Sequence, residues 1–169
     1  MRTRALLVAG VGFLMAVEAS PRAARAQSAQ PFALQASLFI ADLGAGYELQ
    51  ARYSPSAFSL GVGFQSIATT SISLGTIVKQ SSGVFIEPRY AIDIQSDKYA
   101  PYISGRVALL RSSDAKNYDV FGAGAGLLIK MTSRVNLDMG IAGLGETGTG
   151  NSFGVLVKAG ASLGFGGGK

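Results

Sequence analysis

Between residues 32 and 165 apolar and polar side chains alternate with a period of two, the mark of strands with one apolar face. The pattern is clearest near the end of the chain. Phe153, Val155, Val157, Ala159, Ala161, Leu163 and Phe165 share one side, while Gly154, Lys158, Gly160, Ser162 and Gly164 share the other. Upstream, Val135, Leu137, Met139 and Ile141 stand against Asn136, Asp138 and Gly140. Val84, Ile86, Tyr90, Ile92 and Ile94 stand against Glu87, Arg89 and Asp93. The alternation predicts eight strands, at 32–41, 45–54, 57–66, 83–95, 100–111, 118–130, 134–143 and 153–165. Pro88 falls inside the fourth, where it removes a ladder donor, and a β-bulge is expected there.

The connections alternate in length. Ser-Pro-Ser-Ala at 54–57, the segment at 96–99 and the region 131–133 are short turns; 68–82, 112–117 and 144–152 are longer and polar. Short turns at one end and longer loops at the other describe an up-and-down meander whose two termini lie on the short-turn side. The first connection, 42–45, is an exception: it is short although it belongs to the long-loop end.

Ahead of the strands, Arg2 and Arg4 precede a thirteen-residue apolar run at 5–17, and Ala24-Arg25-Ala26 supplies a small-x-small cleavage site. This pattern predicts a secretory signal peptide at 1–26 and a single mature domain at 27–169. The run is well short of the roughly 20 apolar residues that span a bilayer as a helix. Four basic residues and one acid leave with the leader, so the mature chain carries 11 bases and 9 acids and a net charge of only +2. The basic character of the whole chain therefore gives no argument for a nucleic-acid partner. The chain has no Cys and no His, which excludes disulfide staples, imidazole or thiolate metal sites, and any catalytic pair that needs an imidazole base.

Composition decides which face of the sheet is wet. Soluble surfaces are commonly about 25 to 35% charged, whereas 20 of the 143 mature residues are charged here and the polar faces are mostly Gly, Ser, Ala and Gln. The pattern fits better inside out, with the apolar face against lipid and the polar face filling a narrow eight-stranded lumen. Only helices or closed barrels satisfy their backbone in hydrocarbon, and no mature segment has helical spacing over three turns.

A turn at 54–57 then sets a register for the segment 46–65, with Tyr53 opposite Phe58, Ala51 opposite Leu60, Leu49 opposite Val62 and Tyr47 opposite Phe64. Aromatic pairs mark both ends of this hairpin, and Phe153 and Phe165 mark the ends of strand eight, as interfacial rings do. Inside, Glu48 faces Gly63, Gln50 faces Gly61 and Arg52 faces Ser59, so that long side chains cross a tight lumen beside small ones. The expected interior set is Glu48, Gln50, Arg52, Glu87, Arg89, Asp93, Arg106, Asp138 and Lys158, whose ionisable members are four acids and four bases. A balanced network is expected of them, because an unpaired buried charge costs several kcal/mol.

The stretches GYELQARYSP, FSLGVGFQ, GVFIEPRYAI, APYISGRVALL, FGAGAGLLIKMTSRVNLDMGIAGLG and VLVKAGASLGFG together resemble the small eight-stranded outer-membrane β-barrels of the OmpA/OmpX-like superfamily. The resemblance covers nearly all of the mature chain and rests on glycine-rich alternating strands rather than on one motif. It implies location in the cell outer membrane, contact with its lipid, and periplasmic chaperones and a barrel insertion machinery as partners in biogenesis. Relatives of this kind usually end their last strand on an aromatic residue that the machinery recognises. Here Phe165 is followed by Gly166-Gly167-Gly168-Lys169, a departure from that pattern.

No cofactor is expected. Gly145-Glu-Thr-Gly-Thr-Gly-Asn-Ser152 has phosphate-loop spacing, but Asn151 stands where the lysine belongs and a strand follows instead of a helix. Some barrels of the resembling group are lipid A acylases or deacylases that use a histidine beside serine, and this chain lacks the histidine. The leading expectation is a non-catalytic outer-membrane barrel serving envelope structure or surface interaction through the loops at 68–82 and 144–152. The alternatives are a narrow pore for small solutes and a periplasmic lipocalin-like carrier.

Overall fold

The computed structural model describes residues 30–41, 44–72, 76–114, 116–147 and 153–166, and within 69–79 it describes backbone alone. The expected signal peptide, residues 148–152 of the glycine-rich loop and residues 167–169 lie outside the described residues. Eight strands follow in order: β1 (Phe32–Ala41), β2 (Gly44–Tyr53), β3 (Phe58–Ile72), β4 (Thr76–Ala91), β5 (Tyr99–Ser112), β6 (Asn117–Lys130), β7 (Val135–Thr147) and β8 (Phe153–Phe165). Each pairs antiparallel with the next, and β8 pairs with β1 to close the barrel. Closure removes the sheet edges, and the period-two alternation sends one set of side chains outward and the other into the lumen.

The outward set is apolar and open, with Leu38 72% and Ile40 70% exposed, while the inward Glu48 and Asp138 are 0% exposed. A soluble carrier of the lipocalin kind needs the apolar face inside; here that face is the exterior.

The register of the β2–β3 hairpin differs from the expected one by two residues. Tyr53 faces Leu60, Ala51 faces Val62, Leu49 faces Phe64 and Tyr47 faces Ser66; on the inner side Glu48 faces Gln65, Gln50 faces Gly63 and Arg52 faces Gly61. Barrel stagger is the cause. Phe58 and Ser59 overhang the hairpin to pair with Tyr90 and Arg89 of β4. On the other strand the Ser54 amide donates to the Pro31 carbonyl ahead of β1. A two-residue slip leaves every side chain on its expected face.

Residues 68–82, expected as a long loop, are mostly strand, because the β3–β4 ladder runs on from Ser66↔Ser82 to Ile72↔Thr76. The β-branched Thr, Ile and Val residues there favour extended backbone. The β2 ladder stops at Ala68 and the β5 ladder at Ser81, so this hairpin projects past both neighbours.

No bulge forms at Pro88. The pairs Ile86↔Val107 and Arg89↔Ser104 stay in step across it, as do its pairs with β3. The proline points outward between the inward Glu87 and Arg89, and its missing donor interrupts only the ladder to β5, opposite Gly105.

Small residues make room for large ones inside. A Cβ added at Gly63 would collide with the Leu49 carbonyl and lie 2.6 Å from Gln50 Cβ and 2.8 Å from Phe85 Cζ. On the outer face, a Cβ at Gly105 would find nothing nearer than Pro88 Cγ at 3.6 Å. Gly63→Ala is accordingly expected to cost about 1 to 3 kcal/mol through overpacking, whereas Gly105→Ala should shift stability by less than about 0.5 kcal/mol. Urea titrations of the two refolded variants measure the difference, and equal midpoints would contradict the tight interior.

Candidate functional site: a charge network in the barrel interior

Inward positions of β2, β4, β5, β7 and β8 bring seven ionised side chains into one connected cluster. Glu87 is its hub. Its Oε1 accepts from Arg52 Nη2 at 2.8 Å and Arg89 Nε at 2.6 Å, and its Oε2 from Lys158 Nζ at 2.8 Å and Arg106 Nη1 at 3.4 Å. Glu48 takes Arg106 Nη2 at 2.6 Å and Lys158 Nζ at 3.4 Å. Asp138 accepts from Arg89 Nη2 at 2.8 Å, from the Tyr102 hydroxyl at 2.7 Å and from the Gln35 side-chain amide. All seven are buried.

Neutral groups complete the cluster. Gln50 Oε1 accepts from Arg52 Nη2 at 2.9 Å, Ser59 Oγ accepts from Arg52 Nη1 at 3.1 Å, and Gln65 Oε1 accepts from Arg106 Nη2 at 2.6 Å. Two guanidinium groups also lie over rings, Arg89 on Tyr102 at 4.3 Å and Arg106 on Phe85 at 4.0 Å, contacts that favour a cation removed from water.

Eight of the nine side chains expected in the interior, Glu48, Gln50, Arg52, Glu87, Arg89, Arg106, Asp138 and Lys158, meet here. Asp93 does not. β4 ends at Ala91, and Asp93 lies exposed in the following turn, where its Oδ1 accepts from the Gln95 amide at 2.9 Å and Gln95 takes a φ of 57°. The expected balance of four acids and four bases is therefore three carboxylates against four cations.

Ser59 meets Arg52 inside as expected, whereas Gln35, Gln65 and Tyr102 fall outside the expected set, although strand parity marks each of them as inward. Also unanticipated is an apolar layer on the loop side of the charges: Phe85, Ala108, Leu110 and Val120 are buried together, with Tyr118 and Leu144 packed against them. Phe85 shares the parity of Glu87 and Leu110 that of Arg106, but the apolar runs Val84-Phe85-Ile86 and Leu109-Leu110 show no local alternation.

Of the expected interface aromatics, Tyr47, Tyr53, Phe64, Phe153 and Phe165 are exposed on the outer face, and Phe58 is partly covered. Their partners differ from the expected pairs. Phe32 links β2 to β8 at the turn end, facing both Tyr53 and Phe165, and its ring centroid lies 5.0 Å from that of Tyr53. Phe58 faces Tyr90. Among the described residues no group of three His, Cys, Asp or Glu side chains is placed to hold a metal ion.

A closed eight-stranded antiparallel barrel with an apolar exterior and a polar, side-chain-filled interior has the fold of the small outer-membrane β-barrels. Solved structures of that class match along almost their whole length. Neisserial surface protein A aligns with a TM-score of 0.68 at 19% identity, covering 80% of this chain and 97% of that one. Outer membrane protein H of Pseudomonas aeruginosa aligns at 0.61 and 12% identity, covering 80% and 99%. The N-terminal β-barrel domain of OprF from Pseudomonas aeruginosa aligns at 0.56 and 14% identity, covering 80% and 98%. No family model and no curated protein sequence matches the chain.

Proposed function

We propose that the protein is a non-catalytic integral protein of the outer membrane, a plugged barrel that contributes to envelope structure and presents its loop-end hairpins at the surface. The carrying observation is the filled cross-section. Seven buried ions bonded across the lumen, with an apolar layer above them, leave side chains where a pore needs a continuous column of water. The apolar exterior supports placement in hydrocarbon, and its aromatic residues suit the two interfaces. The β3–β4 hairpin supports the surface role, because its backbone continues beyond the pairing of β2 and β5.

Purified protein reconstituted in planar bilayers is expected to give no stable ohmic steps. Reproducible steps that respond to Glu87→Gln would replace this reading with the narrow pore. Membrane placement has its own check. The native protein should resist carbonate extraction and migrate differently on a detergent gel before and after boiling; a carbonate-soluble protein with one mobility would contradict it.

A further inference from the structure

We propose that the lumen binds one small monovalent anion of the chloride class beside Gln50, Arg52 and Arg89. Charge count gives the first reason. Arg52, Arg89, Arg106 and Lys158 face only Glu48, Glu87 and Asp138, so one positive charge of the buried network has no counterpart. Among the residues whose side chains are described, two further charged residues occupy inward positions, Glu146 near the loop end and Lys130 at the turn end; they carry opposite charges and leave the excess unchanged.

Hydrogen-bond accounting gives the second. Gln50 Nε2, Arg52 Nε and Arg89 Nη1 have no partner among the protein atoms, although their residues are only 4%, 7% and 2% exposed. The three side chains belong to one locus. Arg52 Nη2 bonds Gln50 Oε1 at 2.9 Å and shares Glu87 Oε1 with Arg89 Nε. These three atoms are donors, whereas the fourth unmatched buried atom among the described residues, Asn136 Oδ1, is an acceptor on another strand; buried donors are ordinarily satisfied. A water molecule could accept from them but would leave the excess charge in place. A divalent anion would overcompensate it. A singly charged anion answers both the donors and the charge, and it would be held as charge-assisted hydrogen bonds hold other buried ions.

The apolar layer of Phe85, Leu110, Val120 and Leu144 closes the loop side of this locus, whereas Ala33, Ser59, Ala91 and Ala100 stand at inward positions on the turn side.

The test uses bromide as the probe. Crystals of the refolded protein grown in sodium bromide should show an anomalous peak within hydrogen-bond reach of Gln50 and Arg89, while Lys158→Met, which makes the network neutral, should abolish it. In solution, replacing gluconate by chloride at constant ionic strength and about ten times the dissociation constant should raise the folding equilibrium constant about tenfold for the native sequence. Lys158→Met should remove that response. Ordered water without an anomalous peak, or an equal chloride response in both proteins, would overturn the proposal. If Lys158→Met does not fold, the bromide peak in the native protein decides alone. Conductance does not enter this test, so an anion site could fail or stand whatever the planar bilayers show.

Discussion

Glu87→Ala should destabilise the barrel by about 3 to 5 kcal/mol, the loss expected when one partner is taken from a buried ion pair. The substitution leaves Arg52, Arg89, Arg106 and Lys158 with only Glu48 and Asp138, and Arg52 and Lys158 each lose a contact of 2.8 Å. Lumen walls on all sides prevent these cations from turning out to water. Glu87→Gln separates charge from shape, because it keeps the volume and one acceptor oxygen while removing the negative charge. Its cost should lie close to that of the alanine variant if charge dominates. Urea-induced unfolding in phospholipid vesicles, followed by the gel-mobility difference of folded and unfolded forms, gives both numbers. If both variants stay within about 1 kcal/mol of the native protein, the network does not stabilise the barrel by charge pairing.

Met139→Arg should cost about 2 to 4 kcal/mol in vesicles, for a different reason. Met139 is 54% exposed on the outer face of β7 and faces Ala159, midway between Phe153 and Phe165 along β8. That position is the middle of the apolar band, where an arginine meets hydrocarbon, and the penalty fades to about 0 to 1 kcal/mol near the interfaces. Leu163→Arg, close to the Phe165 end, should therefore cost less than Met139→Arg. A barrel bathed in water would tolerate both at under about 0.5 kcal/mol, and equal small effects would refute the lipid-facing exterior.

The sequence makes the faces of the strands legible better than their alignment. Alternation alone assigns Glu48, Arg52, Glu87, Arg89, Arg106, Asp138 and Lys158 to one side of the sheet, because a strand has only two sides. Register depends on stagger between strands, a property of the closed barrel. The Ser-Pro-Ser-Ala turn suggests a tight hairpin, yet Phe58 and Ser59 are drawn past β2 by their pairing with β4. Asp93 misleads because Ile92 and Ile94 continue the alternation beyond the end of β4, and the backbone turns at Gln95 without a glycine to announce it. Pro88 misleads in the opposite direction, since a single lost donor facing Gly105 is accommodated without disturbing the ladder. The apolar layer around Phe85 is legible only by carrying strand parity over from Glu87 and Arg106, because the local runs are apolar on both faces.

The bonds of Glu87, Glu48 and Asp138 also bear on the order in which the barrel forms. Arg52 to Glu87 joins β2 to β4, Arg106 to Glu48 joins β5 to β2, Arg89 to Asp138 joins β4 to β7, and Lys158 ties β8 to both β2 and β4. None of these links runs between strands that are neighbours in the sheet. Apart from Glu87 with Arg89 on its own strand and with Arg106 on the neighbouring β5, a nascent sheet still open at the seam between β1 and β8 holds the charges of these links apart and in water while its ladders zip pair by pair. Their mutual attraction becomes available only when the seam shuts, so the cluster acts as a latch on the completed tube: it adds little to the speed of assembly and slows the reopening of the seam.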